Sequence, residues 1–180
     1  MVRFHQRPLM AEINIVDDKL QIKDKVLPLE YLGDEPSEPG YDYRVEPYGI
    51  TGELGKTIDA AKITIGPDGW TPPQRIMKNK RGRILDFPVE GDGIIILLEP
   101  DSDSVQQIPF DSSKSNVKNP VAISYEGCFI CLKAGSHGMK VVEIQTPPFK
   151  SGDGKALDID SDEVPEIFKQ AYLKLVSNSK

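Results

Sequence analysis

Turn-forming residues cut this chain into short apolar runs, and that pattern limits its fold more than any other feature. Residues 60–65 are closed by Gly66-Pro67-Asp68-Gly69, and residues 83–89 by Glu90-Gly91-Asp92-Gly93. Residues 94–98 are closed by Glu99-Pro100-Asp101-Ser102-Asp103, and residues 105–110 precede a polar loop over 111–119. Residues 120–123 lead to Gly127, residues 128–133 precede Ala134-Gly135-Ser136-His137-Gly138, and residues 139–146 end at Pro147-Pro148. None of these runs has room for a helix of ordinary length. Strands at this spacing, with turn chemistry between them, predict an all-β sandwich or barrel. Asp92-Gly93 and His137-Gly138 supply the residues that tight hairpin turns require. Fifteen glycines and fifteen prolines in 180 residues exceed the average usage of about 7% and about 5%, which agrees with a turn-rich chain.

The flanks read differently. Residues 11–32 hold two short apolar patches, and the alternation in Leu20-Gln21-Ile22 predicts a strand. Residues 33–40 form a Gly/Pro breaker cluster and predict a loop; Tyr41, Tyr43 and Tyr48 follow in a stretch suited to an edge strand. The one helix predicted lies at the C-terminus. There Val164, Phe168, Ala171, Tyr172, Leu175 and Val176 form an apolar stripe behind Ser161, Asp162 and Pro165. The expected organisation is an N-terminal extension over 1–59, a β core over 60–149, and a connector plus amphipathic helix over 150–180.

The formal charge of −6 argues against a general nucleic-acid binder, which needs a cationic surface. No secretory signal follows the N-terminus. The longest fully aliphatic run is Ile94 to Leu98, far short of the ~20 residues that span a bilayer. A cytoplasmic protein with no membrane or nucleic-acid partner is expected. The two cysteines, Cys128 and Cys131, are spaced C-x-x-C, but no second pair exists to complete a zinc site, and the only histidines are His5 and His137. A strand would turn the two thiols to opposite faces, so two small buried hydrophobes are expected.

Other motifs dissolve on inspection. Gly49-Ile50-Thr51-Gly52-Glu53-Leu54-Gly55-Lys56-Thr57 ends like a phosphate loop, but its glycine spacing is wrong and no helix follows. Residues 158–162 resemble the start of a calcium loop, yet Glu163 and Lys169 stand where a glycine and a glutamate belong. One basic cluster, Arg75, Lys78, Lys80, Arg81 and Arg83, is either a solvated hairpin loop or an anion site, with the sole tryptophan, Trp70, before it.

Three stretches carry a family resemblance. Ile63-Thr64-Ile65-Gly66-Pro67-Asp68-Gly69-Trp70-Thr71-Pro72-Pro73, Phe87-Pro88-Val89-Glu90-Gly91-Asp92-Gly93 and the run from Gly138 to Phe149 resemble the cupin superfamily. The resemblance covers about half of the chain. It implies a double-stranded β-helix, or jelly-roll, barrel, here followed by the C-terminal helix. Metal-binding members of that family carry two histidines and a glutamate in the first motif and a histidine in the second. This sequence has Gln74, Arg75, Met77, Asn79, Lys80 and Arg83 in the first region and no histidine near Ser124-Tyr125-Glu126. Cationic side chains repel a metal ion, so neither metal nor other cofactor is expected.

The resemblance thus implies a metal-independent barrel binding a small ligand, anionic or sugar-like, in its mouth. Candidate ligand-binding residues are Trp70, Gln74, Arg75, Arg83, Tyr125, Cys131 and Lys133. Strand parity puts Phe129, Cys131 and Lys133 on one face but does not say whether that face is inward. An alternative is a metal-free sugar epimerase or isomerase, for which Tyr125, Lys133 and Glu143 are the candidate acid–base groups. Another is a non-enzymatic oligomerising protein. A homodimer is expected on the resemblance.

Overall fold

The computed structural model of the chain describes residues 13–16, 19–22, 25–35, 37–77, 83–113, 121–148 and 154–177. Eleven strands and one helix follow in order: β1 (Ile13–Val16), β2 (Lys19–Ile22), β3 (Lys25–Tyr31), β4 (Tyr43–Ile50), β5 (Asp59–Ile65), β6 (Gln74–Ile76), β7 (Arg83–Leu98), β8 (Gln106–Asp111), β9 (Ala122–Tyr125), β10 (Phe129–Thr146), β11 (Gly154–Ala156) and α1 (Glu166–Ser177). The phosphate-loop look-alike ends in a single 3-10 turn, Glu53–Lys56.

Two long strands make the barrel. β7 and β10 run antiparallel along their whole lengths, from Thr146 against Arg83 to Phe129 against Leu98. The second half of β10 also pairs with β5, and the first half with β6. The first half of β7 pairs with β9, and its second half with β8. Each long strand therefore passes from one sheet into another. The first sheet is β4-β5-β10-β7-β9; the second is β11-β6-β10-β7-β8.

The hairpin turns predicted at Asp92-Gly93 and His137-Gly138 are instead bends inside these continuous strands. Gly91 (φ 83°) and Gly138 (φ 75°) occupy the left-handed region there. A Cβ on Gly91 would stand 2.0 Å from the Gly138 carbonyl oxygen, so only glycine lets the two backbones touch at the crease. The register slips between Ala134 and Met139, a bulge that re-aims the side chains beyond it. Asp92 braces the bend, its Oδ1 2.9 Å from His137 Nδ1.

Three apolar clusters follow from the alternation of strand residues. Ile63, Ile65, Ile95, Leu97, Ile130, Leu132 and Val141 fill the space between the sheets. Phe87, Val142 and Ile144, on the outer face of the first sheet, are covered by Leu20, Leu27 and Leu29 of the β2–β3 hairpin. Ile96, Leu98, Phe129 and Cys131, on the outer face of the second, are covered by Val164, Phe168 and Tyr172. The apolar stripe read in the sequence docks α1 in this way. Within the stretch expected to be a connector, β11 adds an edge strand against β6. No helix among the described residues is long and apolar enough to cross a membrane.

Candidate functional site

One end of the barrel interior is polar. Along the second half of β10, Met139, Val141, Glu143 and Gln145 share the inward face, so the apolar pair lies deep and the polar pair lies toward one mouth. β5 runs antiparallel and repeats the gradient: Ile65 pairs with Met139, Ile63 with Val141, and Asp59 with Gln145. On β7, Asp86 pairs with Glu143 and Ile84 with Gln145. On β9, Ser124 stands opposite Ile84.

A cavity of about 220 Å³ opens here, with Glu35, Tyr43, Asp59, Gln74, Glu143 and Gln145 among its polar lining. Ala61, Ile63, Ile76 and Ile84 supply an apolar floor. Pockets for drug-sized ligands run to roughly 300–1,000 Å³, so this space suits something smaller.

The carboxyls dominate its electrostatics. Asp86 is fully buried, and burial, followed by the nearby Glu143 charge, raises it well above the usual carboxylate range. Burial pushes Glu143 up to about 7, while hydrogen bonds from Asp86 and Gln145 pull the other way. Gln145 Nε2 donates to Glu143 Oε2 at 3.4 Å. Burial also raises Glu35. As a bare carboxylate, Asp86 would have no donor for either oxygen, and the buried Ser124 Oγ has none. A proton held by Asp86 and donated to Glu143 resolves the conflict, because two adjacent carboxylates in low dielectric do not both ionise. One acid and one base, set apart by environment, stand side by side at the mouth.

No protein-family model matches the sequence, and no curated protein matches it. Solved structures do share its shape. CapF, a capsular polysaccharide assembling protein from Staphylococcus aureus, superposes with a TM-score of 0.52 at 13% identity, over 73% of this chain and 32% of that one. Peruvianin-I, a cysteine peptidase from Thevetia peruviana latex, superposes with a TM-score of 0.51 at 12% identity, over 69% of this chain and 72% of that one. CapF is a cupin. The chain has the cupin fold. It spans about a third of the length of CapF.

The described interior of the barrel contains no histidine. Among the described residues no group of His, Cys, Asp and Glu is arranged to hold a metal ion. His137 sits on the outer bend with its side chain 80% exposed, and His5 lies outside the described residues.

The residues expected to line the barrel divide between two places. Gln74 and Glu143 meet in the cavity. Trp70, Arg75, Cys131 and Lys133 lie on the outer side of the second sheet instead. Trp70 packs on Tyr172, ring centroids 4.7 Å apart, and Lys133 Nζ lies 5.1 Å from the Trp70 centroid. Lys133 is buried at 8% exposure, and its ammonium donates to the Ala134 carbonyl at 3.3 Å. Cys131 Sγ donates to the Thr71 carbonyl at 3.1 Å; burial pushes this thiol up to about 12, leaving it protonated and unreactive. Arg75 stacks over Phe129 at 5.6 Å. The shared face of Phe129, Cys131 and Lys133 is real, but it faces outward and is buried by the C-terminal segment.

Tyr125 alternates with Ser124 on β9 and is exposed on the outer side. Arg83 begins β7, but its side chain, like Lys78, Lys80 and Arg81, lies outside the described residues. Among the described residues that line the cavity there is no lysine or arginine, and the anion site expected around the basic cluster falls on side chains outside the described residues. Cys128 belongs to the interior cluster and Cys131 to the outer one, the opposite-face arrangement their spacing predicts.

Sequence reasoning missed Glu35, Asp59, Asp86, Ser124 and Gln145. One signal was available: Asp86 interrupts an otherwise apolar strand, Ile84-Leu85-Asp86-Phe87-Pro88-Val89, and a buried carboxyl is retained at a cost.

Proposed function

We propose that the protein is a metal-independent cupin-fold barrel that binds a small polyhydroxylated, sugar-like ligand in its polar mouth. The observation that carries this is the cavity itself. Gln74, Gln145, Tyr43 and the carboxyls of Glu35, Glu38, Asp59 and Glu143 converge over an apolar floor, the mixture that orients a ring with hydroxyl edges and apolar faces. The carboxyls accept hydroxyl hydrogens, and the two amides both donate and accept. An anionic ligand is disfavoured, because it would add charge to a lining that is already acidic. Thermal-shift measurement with a panel of neutral sugars and polyols tests the reading. Stabilisation by at least one of them, lost in Gln74→Ala and Gln145→Ala, is the expected result. A flat response across the panel contradicts it.

A second reading is an epimerase- or isomerase-type enzyme, favoured by the Asp86–Glu143 pair. A protonated carboxyl beside an ionised one supplies both partners of general acid–base catalysis. Glu143 is the group that reaches the cavity, so it would exchange the proton with substrate. Tyr125 and Lys133 are not among the described residues that line the cavity. Exchange of substrate C–H hydrogen with solvent deuterium, abolished in Glu143→Gln, is the expected signature of this activity.

A homodimer also belongs to this proposal. Among the described residues β8 and β9 each pair only with β7, leaving strand edges that a second copy can extend. Light scattering giving the mass of a dimer is expected; a monomer mass contradicts it.

A further inference from the structure

A second cavity, of about 160 Å³, adjoins the one at the barrel mouth. Glu38 and Ala156 line both, so the two meet across that pair as across a sill. Two turns build the second cavity. In the first, Glu38-Pro39-Gly40-Tyr41, the Tyr41 amide donates to the Glu38 carbonyl at 3.3 Å. Gly40 takes φ 88°, the left-handed conformation that a Pro-Gly turn requires at its third residue. The Glu38 amide donates to the Tyr43 hydroxyl at 3.3 Å, which ties this turn to the wall of the first cavity. In the second turn the Ser161 amide donates to the Asp158 carbonyl at 3.0 Å, and the Asp160 amide donates to Asp158 Oδ1 at 3.0 Å. The Leu157 amide donates to the Pro73 carbonyl at 2.8 Å and fixes this segment beside β6. The hydroxyls of Tyr41 and Tyr172 are hydrogen-bonded, so α1 also braces the first turn.

The lining suits a sugar ring. Pro39, Tyr41 and Pro72 supply apolar area, with the carboxyls of Glu38 and Asp158 beside them. A tyrosine combines an apolar face with a polar tip, and carboxylates accept hydroxyl hydrogens. Each cavity alone falls below the roughly 300–1,000 Å³ that larger ligands occupy, and only joined do they reach that range. β11 leaves room at the mouth. Gly154 pairs with Ile76 and shares its inward face, and a Cβ on Gly154 would have nothing within 4 Å. We infer that the ligand is at least two sugar units long, an oligosaccharide or glycoside whose end unit enters the barrel mouth and whose second unit lies on Tyr41 in the adjoining cavity. The inference rests on the sugar-like reading above and extends it. A single ring would fill one cavity and leave the other, with its pinned turns, unused.

Isothermal titration with probes matched in all but length tests this: glucose with cellobiose, glucose with maltose, mannose with mannobiose, and xylose with xylobiose. In at least one pair the disaccharide is expected to bind about ten-fold or more tighter than its monosaccharide. Tyr41→Ala is expected to bring that disaccharide down to the affinity of its monosaccharide while the monosaccharide binds as before. Tyr41→Phe keeps the ring and is expected to keep the preference for the longer probe. Gly154→Leu, which fills the mouth, is expected to abolish binding of both members of the pair. Equal binding of monosaccharide and disaccharide in every pair overturns the inference and leaves the sugar-like reading standing. Binding by none of the probes, or binding that survives Gly154→Leu, overturns both. An equal loss for both lengths in Tyr41→Ala makes Tyr41 a structural brace and overturns the inference alone. Because the wild-type comparison of lengths needs no variant, a poorly folded mutant does not spoil the test.

Discussion

Two places in this protein bury polar side chains on opposite faces of β10, and they do so for different ends. Under α1, Lys133 is enclosed by Trp70 and the Ala134 carbonyl, and Cys131 is hydrogen-bonded to Thr71. Every group there has a partner, and aromatic rings fill the surroundings. At the barrel mouth, the fully buried Asp86 is satisfied only by the proton it shares with Glu143, Ser124 Oγ has no partner, and Glu143 borders an open cavity. Burial alone does not mark a site. A buried polar group that is satisfied serves packing, whereas one that is unsatisfied beside empty space is built for something that binds.

The sharpest way to break the comparison is to unpack the outer face. Phe168 is fully buried against Phe129, and Phe168→Ala is expected to cost about 3–5 kcal/mol in chemical denaturation. A loss below 1 kcal/mol would mean that α1 is not an integral cover.

The barrel mouth responds to pH in a definite direction. Glu143 is pushed up to about 7 from an ordinary 4.5, so the folded state keeps a proton that the unfolded chain has released between those values. Stability is therefore fully present below about 4.5, falls as the pH rises to about 7, and levels off above. At about 1.4 kcal/mol per pH unit, the fall amounts to on the order of 1–3 kcal/mol. Glu143→Gln is expected to flatten it. Denaturation midpoints at pH 4.5, 6 and 8 check this, and a wild-type midpoint that rises over that interval contradicts it.

Asp86→Asn sharpens the same contrast from the other partner. It removes the most buried carboxyl while keeping shape, and at pH 8 it is expected to raise stability by about 1 kcal/mol or more. A stabilising substitution at an inward polar position is the mark of a residue kept for function. Destabilisation at pH 8 would make Asp86 structural.

Lys133→Met gives the smallest effect. It keeps the stem that packs under α1 and gives up a cation–π contact and one carbonyl bond, so roughly 0.5–1 kcal/mol is expected to be lost. The ligand response of the cavity should not change. A changed response would place Lys133 in the site after all.

Much of the fold was legible in the sequence because Gly/Pro breaks and a three- and four-residue apolar stripe are local signals. The runs 60–65, 83–89, 94–98 and 139–146 all lie within strands, and Val164, Phe168 and Tyr172 dock the helix. The bends at Gly91 and Gly138 were read as hairpin turns because a left-handed glycine has the same sequence signature in both. Only the long-range pairing of β7 with β10 makes the strands continuous.

The site was half legible, and the reason is parity. In the first half of β10 both faces are buried, Ile130 and Leu132 toward the interior and Cys131 and Lys133 toward α1. No polar–apolar alternation therefore tells inside from outside. The bulge then switches the inward positions from even to odd numbers, which brings in Glu143 and leaves Lys133 outside. Asp59 and Glu35 join them only through tertiary pairing.

The most direct test of the central claim is a carbon-13 NMR titration of the side-chain carboxyls in the ligand-free protein. A glutamate assigned to Glu143 that half-titrates near 7, with Asp86 held well above the usual aspartate range, is the result predicted. If both carboxyls titrate between about 3.5 and 4.5 like exposed side chains, no proton is shared at the barrel mouth and the account is wrong.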